Sequence, residues 1–272
     1  MQQMHFRSIW ISDTHLGGRN VKSAELYDFL KTTESEYLYL VGDILDLWKL
    51  KRKWHWPEIN TRIVNLILQK AGQGTKVYYL PGNHDAMIGG YCGGEFSGIK
   101  VCSDIVHTTV DGGRFLVQHG DQFDCIVQHN EWLANIGSVL YDGLLVINRW
   151  YNLLRRIRGR SYFSISAYIK HKCKRAVNYM GDFEETLVKE IRKHHVDGII
   201  CGHIHKAGVK SIDRFLYSNS GDWVESCTAL AENNHGTLGI IHWVDRNPVN
   251  DLVTTLEYEK NRYSDRCLAP TN

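Results

Sequence analysis

The amino-acid sequence predicts an α/β fold, in which helices pack on the faces of a layered sheet and a further helical segment is inserted. The first part of the chain supports this, because three apolar runs alternate with two helical patterns within residues 6–80. This βαβαβ order is typical of a sheet with helices on its faces. The second observation is a helical pattern over residues 124–195, which contain no proline and are followed by strand-like runs.

Five elements are expected in the first part of the chain. Short apolar runs rich in Ile, Val, Leu and Tyr, which are typical of buried strands, cover residues 6–11, 37–41 and 76–80. Helices are expected near residues 21–32 and 57–71, and Pro57 suits the first turn of the second helix.

The later elements include both strands and the inserted helices. The glycine-rich residues 89–98 predict a flexible loop, and strands are expected at 100–109 and 114–118, joined by an Asp-Gly-Gly turn. The helical pattern of 124–195 predicts a cap over the strand ends, inserted in a single domain of residues 1–272. Further strands are expected in five segments, namely 208–213, 215–221, 223–230, 237–244 and 252–258.

Composition limits the classes of protein to which the chain can belong. With 272 residues, 43% of them hydrophobic, and a formal net charge of +2, it can bury a core and shows no general preference for nucleic acid. Its seven cysteines are odd in number and form no CxxC pair, which favours reduced thiols and a cytoplasmic location. The N-terminus lacks the apolar region of a signal peptide, and no apolar run is long enough for a membrane-spanning helix.

Five short polar clusters each follow directly on an apolar run, and they supply the candidate site residues. Each cluster therefore lies where a predicted strand ends, and open α/β sheets form their sites outside the carboxyl ends of the strands. The segments SIWISDTH, YLYLVGD, VYYLPGNHD, FLVQHGD and GIICGHIH contain nine candidates: Asp13, His15, Asp43, Asn83, His84, Asp85, His119, His203 and His205. Any one motif alone is common in turns, so the prediction rests on their joint occurrence.

All of these residues except His84 and Asp85 are candidate metal ligands. Asp13 and His15 lie two residues apart on an exiting strand, so both side chains point to the same side. Carboxylate, imidazole and amide ligands without thiolate suit Mn, Fe or Zn. The set is large enough for two divalent ions that share one carboxylate and lie roughly 3.5–4 Å apart, as in two-metal phosphoester hydrolysis.

The ordered motifs D-x-H, G-D-x-x-D, G-N-H-D, H-G-D and G-H-x-H resemble those of the calcineurin-like metallophosphoesterases, and the resemblance spans residues 13–205. It implies a layered αββα-type sandwich and two divalent metal ions, with manganese expected first and iron, zinc or cobalt as alternatives. It also implies how the ligands divide between the two metals. One metal is held by Asp13, His15 and His205, and the other by Asn83, His119 and His203, while Asp43 bridges both.

The resemblance further implies a hydrolytic mechanism, in which a hydroxide that bridges the two metals attacks phosphorus in line. It implies that His84 contacts the phosphate and assists the leaving oxygen, and that Asp85 orients His84. A histidine can stabilise the developing charge and supply a proton at neutral pH. Asp46, Asp121 and Asp124 are further carboxylates that we expect to orient histidine ligands.

A narrower resemblance concerns the substrate. The chain resembles the UDP-2,3-diacylglucosamine diphosphatases, which cleave a lipid-linked nucleotide diphosphate in lipid A biosynthesis. The resemblance is carried by the helical cap and by the segments GDILDLW, GHIHKAG and YSNSGDWVES. It implies hydrolysis of UDP-2,3-diacylglucosamine or a similar substrate, and a peripheral position on the cytoplasmic face of the inner membrane. This chain has His84, the residue of the broader group, where the best-known members carry Arg, and residues 122–128 also depart from their pattern.

The predicted cap carries basic and aromatic side chains that suggest a second part of the site. Basic residues beside aromatics can clamp a diphosphate or lie against anionic lipid headgroups, and a solvated helix face is the alternative. The candidate substrate-binding residues are Arg149, Arg156, Arg160, Lys170 and Lys174. Outside the cap, Trp48, Trp54 and Trp56 are expected to line the metal entrance or the core beside it.

Three other functions are compatible with parts of the sequence. A phosphodiesterase of a soluble nucleotide or another phosphoester would use the same chemistry in an open polar groove. A nuclease is disfavoured because the basic residues are concentrated in one insert. A non-enzymatic, metal-stabilised binding module is disfavoured because Asp13, Asp43, Asn83 and His84 are all present. The sequence does not indicate an oligomeric state.

Overall fold

The computed structural model describes residues 3–123 and 183–243. The chain divides into two compact units, one formed by Met1–Asp121 with Glu190–Asn272 and the other by Gln122–Lys189. Within the smaller unit, the rings of Phe123 and Phe183 meet edge to face with centroids 6.0 Å apart. Both sheets described below belong to the larger unit.

Twelve strands and three helices with complete bounds are found in the described residues. The strands are β1 Met4–Ile11, β2 Thr33–Val41, β3 Lys76–Leu80, β4 Glu95–Phe96, β5 Ile99–Val101, β6 Ile105–Thr108, β7 Arg114–Val117, β8 Gly198–Cys201, β9 Gly208–Ile212, β10 Phe215–Asn219, β11 Thr228–Glu232 and β12 Leu238–His242. The helices are α1 Ser23–Thr32, α2 Leu47–Arg52 and α3 Glu58–Gly72, with 3-10 turns at Ala86–Tyr91 and Asp121–Phe123. Residues 183–193 are also helical.

The strands form two sheets. The seven-stranded sheet has the order β12-β11-β1-β2-β3-β5-β4, and the five-stranded sheet has the order β6-β7-β8-β10-β9. Neighbours β1, β2, β3 and β5 run parallel, as do β7, β8 and β10, while the outer strands pair antiparallel. The predicted α/β fold class is confirmed.

Alternating side chains of the central strands build two cores. Successive strand residues point to opposite faces, so Ile9 and Ile11 pack in one core with Phe29 of α1 and Ile63 of α3. Trp10, between them in sequence, packs in the other core with side chains of the five-stranded sheet. The order of layers is therefore helices, seven-stranded sheet, five-stranded sheet. Burial of each large apolar side chain contributes about 1.5–3 kcal/mol.

A buried polar network joins the two sheets. His107 on β6 lies with Nε2 2.9 Å from Glu232 Oε2 on β11 and with Nδ1 2.8 Å from the Tyr39 hydroxyl on β2. The Ser8 hydroxyl donates to the same Glu232 oxygen at 2.7 Å, and Arg7 Nη1 lies 3.0 Å from Oε1. Because buried polar groups are costly when unpaired, this network fixes how the two sheets pack.

Two predicted elements are corrected by the structure. The glycine-rich residues 89–98 were expected to form a flexible loop, but they contain the end of a 3-10 turn and the strand β4, which pairs with β5. Ser97 and Gly98 both have positive φ, 49° and 83°, as the tight turn of a two-residue hairpin requires. The strand expected at 100–109 is two strands, because the chain leaves the seven-stranded sheet after β5 and enters the other as β6.

The predicted strand at 223–230 begins late. Asp222 Oδ1 accepts the backbone N–H groups of Val224 and Glu225 at 2.8 and 2.6 Å, which holds a turn until β11 starts. The predicted cap up to residue 182 and the strand predicted at 252–258 lie outside the described residues. Among the described helices, none combines the length and apolar character needed to span a bilayer.

Candidate metal centre

The polar clusters follow neighbouring parallel strands in each sheet. β1, β2 and β3 are adjacent in one sheet, and β7 and β8 are adjacent in the other, so their carboxyl ends lie at shared edges. Backbone hydrogen bonds tie the exiting segments together, from Asp13 N to Gly42 O and from Gly202 N to His119 O, both at 3.0 Å. The predicted position of the clusters at strand ends is confirmed.

Five of the candidate residues have a positive φ, which is uncommon for residues with a side chain. The values are 52° for Asp13, 46° for His15, 53° for Asp43, 70° for His203 and 54° for His205. Backbone strain of this kind is concentrated at functional sites, where the surrounding structure holds the backbone in place. Here it turns the chain sharply at the strand ends.

Asp13, His15 and His205 form a first group of ligand-type side chains. His205 Nε2 lies 3.3 Å from Asp13 Oδ1 and 3.3 Å from His15 Nε2. The other carboxylate oxygen of Asp13 accepts the backbone N–H of His203 at 2.7 Å, which leaves Oδ1 facing the imidazoles. Apart from the ion-pair contact with His205, this buried Oδ1 has no hydrogen-bond partner in the described part of the chain. A buried oxygen without a donor is costly, and a bound cation would satisfy it.

His119 and His203 form a second group with Asp43. His119 Nε2 lies 3.2 Å from His203 Nδ1 and 3.5 Å from Asp43 Oδ1. The opposite nitrogen of His119, Nδ1, is 2.9 Å from the backbone carbonyl of Val41 and so donates to it. In the neutral imidazole, Nε2 then carries a lone pair that faces Asp43 and His203. This is the arrangement of a metal-binding histidine.

The carboxylate of Asp43 lies between the two groups. Its Oδ2 is 3.8 Å from His15 Nε2, and its Oδ1 is 3.5 Å from His119 Nε2. Burial raises the pKa of Asp43, but the adjacent His119 outweighs it and lowers the pKa to about 2. Burial likewise lowers the pKa of His119, but Asp43 outweighs it and raises the pKa to about 9. Asp43 is therefore ionised, and a cation that bound at His119 would displace a proton.

Two glycines let the exiting segments approach Asp43. Gly42 has a φ of 76°, and a Cβ there would overlap the imidazole of His119. A Cβ at Gly82 would lie 2.6 Å from the backbone nitrogen of Asp43, closer than side chains allow. The next residue, Asn83, has a buried Oδ1 that makes no hydrogen bond among the described residues. It is a second oxygen that a cation would satisfy.

His84 is paired with Asp46, and this corrects the expectation that Asp85 orients it. Asp46 Oδ1 lies 3.2 Å from His84 Nδ1, and Asp46 Oδ2 lies 3.7 Å from His15 Nδ1. Burial raises the pKa of Asp46, but the hydrogen bonds from Lys49 and His84 outweigh it and lower the pKa. An ionised Asp46 therefore faces both imidazoles, as predicted for a carboxylate that orients histidines.

Asp85 instead holds the backbone of two exiting segments. Its Oδ2 accepts the Ile44 N–H at 2.8 Å and the Tyr79 hydroxyl at 2.5 Å, and its Oδ1 accepts the Gly82 N–H at 2.6 Å. Burial raises its pKa despite these donors. The family resemblance implied a pair with His84, but the Asp85 carboxylate is directed to Ile44, Tyr79 and Gly82.

Trp48 covers one face of His84. The two rings stack with centroids 4.1 Å apart and planes 29° apart, although 53% of Trp48 is exposed. Trp48 is the second residue of α2, whose N-cap Asp46 also accepts the Lys49 N–H at 2.9 Å. One short helix thus supplies both the acid at the edge of His84 and the ring on its face. Among the described rings, Trp54 contacts only Trp56, in a tilted arrangement with centroids 6.2 Å apart.

The donor set fits divalent cations. Carboxylate and imidazole atoms of each group lie within 4.8 Å of one another. The buried oxygens Asp13 Oδ1 and Asn83 Oδ1 are both without a hydrogen-bond partner in the described chain. Burial lowers the pKa of His15, which favours the neutral form that binds metal. The set contains no thiolate, so it suits Mn, Fe or Zn.

The remaining site predictions concern the cap. Its five candidate substrate-binding residues and Asp124 lie outside the described residues. Asp121 is exposed in the 3-10 turn after β7, and no bond from it to a histidine is found in the described chain. Its predicted role is therefore not supported by the geometry.

Comparison with known proteins gives matches along most of the chain. The sequence profile of the calcineurin-like phosphoesterase family matches residues 6–207. UDP-2,3-diacylglucosamine hydrolase from Haemophilus influenzae is 24% identical over 248 residues, covering 86% of this chain and 98% of that protein. The protein of the same name from Psychromonas ingrahamii is 27% identical over 207 residues, covering 74% of this chain and 81% of that protein.

The solved structure of vacuolar protein sorting 29 from Cryptosporidium parvum matches with a TM-score of 0.44 at 14% identity, covering 88% of this chain and 91% of that one. The family match extends over most of the present chain and includes every candidate metal ligand. The chain therefore belongs to the calcineurin-like phosphoesterase family and is a metal-dependent hydrolase of phosphoester bonds.

Proposed function

We propose that this protein hydrolyses UDP-2,3-diacylglucosamine, or a similar lipid-linked nucleotide diphosphate, in lipid A biosynthesis. The observation that carries the proposal is the position of Asp43, whose two oxygens lie 3.8 Å from His15 and 3.5 Å from His119. Phosphoester hydrolysis by paired cations uses such a shared carboxylate. The substrate class is supported by relatives named for this hydrolysis that match 86% of the chain.

Two divalent cations are proposed to bind at the two groups. Manganese is proposed first, with iron, zinc or cobalt as alternatives, because all accept oxygen and imidazole ligands. When bound, such a pair activates water for in-line attack and neutralises charge that develops on phosphorus. The proposed ligands are Asp13, His15 and His205 for one cation, Asn83, His119 and His203 for the other, and Asp43 for both.

His84 is the proposed proton donor. With Nδ1 facing the ionised Asp46 at 3.2 Å, its other nitrogen, Nε2, is the one that lies toward the centre, 3.9 Å from Asp43 Oδ2. A proton at Nε2 can bond a phosphoryl oxygen and then pass to the leaving oxygen. Trp48 on the ring face limits rotation of the imidazole and shields it from water.

The binding of the lipid and nucleotide parts is proposed from sequence. Basic side chains between residues 149 and 174 would pair with the diphosphate or with anionic headgroups of the membrane surface. A cytoplasmic location, peripheral at the inner membrane, is proposed from the cysteine pattern and from the class of substrate. Neither an oligomeric state nor a nucleic-acid partner is part of the proposal.

A phosphodiesterase of a soluble nucleotide is the alternative, and one residue favours it. The best-known diphosphatases that this chain resembles carry Arg where it has His84. An imidazole can donate a proton to a poor leaving group, whereas a guanidinium remains charged and mainly binds phosphate.

The test is hydrolysis of UDP-2,3-diacylglucosamine in the presence of Mn(II), with identification of the products. Release of UMP and the acylated sugar phosphate is expected from the wild type and not from Asp43→Ala. Asp104→Ala, which changes an exposed acid between β5 and β6, is the matched control and should keep full activity. Cleavage of bis-p-nitrophenyl phosphate without turnover of the lipid substrate would refute the substrate and favour the alternative.

A further inference from the structure

Two cysteines lie at the base of the β4–β5 hairpin, outside the metal centre. The hairpin pairs Glu95 with Lys100. Next to this pair, the backbones of Gly93 and Gly94 both bond that of Val101, which makes a bulge. Gly93 N–H donates to Val101 O at 2.8 Å, and Val101 N–H donates to Gly94 O at 2.9 Å. Gly93 has a φ of 88°, which is typical of the first residue of such a bulge.

The two hydrogen bonds of the bulge bring Cys92 next to Cys102. Cys92 precedes Gly93, and Cys102 follows Val101, so they are the next residues on the two antiparallel segments. Cys92 N–H donates to Gly89 O and Cys102 N–H to Tyr79 O, so neither backbone amide is used between them. Cys92 is close enough to Cys102 to contribute to the raised pKa of that thiol, and a disulfide requires Cα atoms about 4.4–6.8 Å apart.

The environments of the two thiols differ. Cys92 is exposed and Cys102 is half-buried, whereas Cys201 and Cys227 are buried. Burial raises the pKa of Cys102 to about 11, and the proximity of Cys92 contributes to the shift. Cys92 is therefore the thiol that a reagent in solution reaches first, and Cys102 is placed to react with whatever forms there.

We propose that Cys92 and Cys102 form a reversible thiol–disulfide site, which takes a small disulfide such as glutathione disulfide as its oxidant. The Cys92 thiolate attacks one sulfur of that disulfide, forms a mixed disulfide and releases one glutathione thiolate. The Cys102 thiolate then attacks the Cys92 sulfur and releases the second glutathione. The two protein thiols lose two electrons to the reagent, and their protons pass to the released thiolates.

The bond would fasten a segment that leaves the metal centre. The 3-10 turn Ala86–Tyr91 begins directly after His84 and Asp85 and leads to Cys92. Oxidation would link the end of this turn to the residue that follows β5. The inference rests on backbone register and exposure and does not depend on which phosphoester is the substrate.

The test uses the full-length reduced protein in glutathione buffers of graded potential, followed by alkylation, digestion and mass spectrometry. We expect one pair of peptides, linked through Cys92 and Cys102, with Cys201 and Cys227 alkylated as thiols. The ratio of linked to reduced pair should change tenfold for each change of about 30 mV, as for a two-electron couple.

Single variants separate the two steps. Cys102→Ser should accumulate glutathione on Cys92, and Cys92→Ser should leave Cys102 reduced, while both variants keep the wild-type fold by circular dichroism. Three results in the wild type would overturn the proposal: Cys92 found only as a mixed disulfide, Cys92 linked to a different cysteine, or both thiols unchanged in the most oxidising buffer.

Discussion

Asp46 Oδ1 lies 3.2 Å from Nδ1 of His84, although the two residues are 38 positions apart in the chain. The same carboxylate caps α2 by accepting the Lys49 N–H, and its second oxygen lies 2.7 Å from Lys49 Nζ. The helix cap is thus also the group that fixes the orientation and tautomer of the imidazole at the metal centre.

Asp46→Asn is expected to lower kcat by about 10- to 100-fold, because the imidazole loses its charged partner while the helix cap keeps an acceptor. Turnover of bis-p-nitrophenyl phosphate measures this, and metal content measured alongside separates an effect through His84 from one through the proposed ligand His15. Asp104→Asn, on an exposed loop, serves as the matched control. Equal kcat in wild type and Asp46→Asn would contradict the role assigned to the pair.

Asp85→Ala is expected to reduce stability, because its carboxylate accepts the buried N–H groups of Ile44 and Gly82 and the hydroxyl of Tyr79. Each buried donor left without an acceptor costs about 1–3 kcal/mol. Urea denaturation should show a lower free energy of unfolding. A variant that keeps wild-type stability and loses activity would show instead that Asp85 acts on His84 or on the substrate.

Trp48→Ala is expected to lower kcat by about 2- to 10-fold, the equivalent of losing one aromatic pair. Because Trp48 is 53% exposed, the free energy of unfolding should change little. Trp54→Ala is the matched control, since Trp54 is 73% exposed and has no ring contact with His84. Equal losses of activity in both variants would mean that the stack with His84 has no special effect.

Glu232→Gln is expected to destabilise the protein in a pH-dependent way. Burial raises the pKa of Glu232, but hydrogen bonds from His107, Ser8 and Val110 outweigh it and lower the pKa below the ordinary value. A carboxylate with a lowered folded pKa stabilises the fold above its unfolded pKa, and this stabilisation is lost as pH falls through the folded pKa.

At neutral pH the variant should therefore lose about 1–3 kcal/mol, and the difference from wild type should shrink below about pH 4. Urea denaturation at both pH values measures the two differences. A constant difference in the free energy of unfolding across that range would show that the carboxylate charge does not contribute to stability.

Local sequence was sufficient to locate the strand ends and the residues that follow them. The run Lys76–Leu80 was predicted at its observed bounds, because apolar β-formers are followed there by Pro81 and Gly82. Asp13, Asp43 and His119 likewise come shortly after apolar runs that form strands. Once parallel strands are adjacent, their exits meet at one edge, so the composition of the site follows from the topology.

Contacts between distant segments could not be predicted in this way. His84 and Asp85 are adjacent in sequence, yet Asp85 bonds the backbone N–H groups of Ile44 and Gly82. Asp46 takes the place beside the His84 imidazole. The segment 100–109 has one continuous strand pattern, but its two halves belong to different sheets. Both differences arise from tertiary packing, which a periodic pattern in one segment does not encode.

The number of divalent cations bound per chain tests the metal centre most directly. Metal-free protein dialysed against Mn(II) and analysed by inductively coupled plasma mass spectrometry is expected to hold about two ions per chain. Asn83→Ala should retain about one, since it removes a proposed ligand of a single site, and Asp104→Ala should retain both. A wild-type protein that binds only one ion, or an Asn83→Ala variant that still binds two with equal affinity, would contradict the paired site around Asp43.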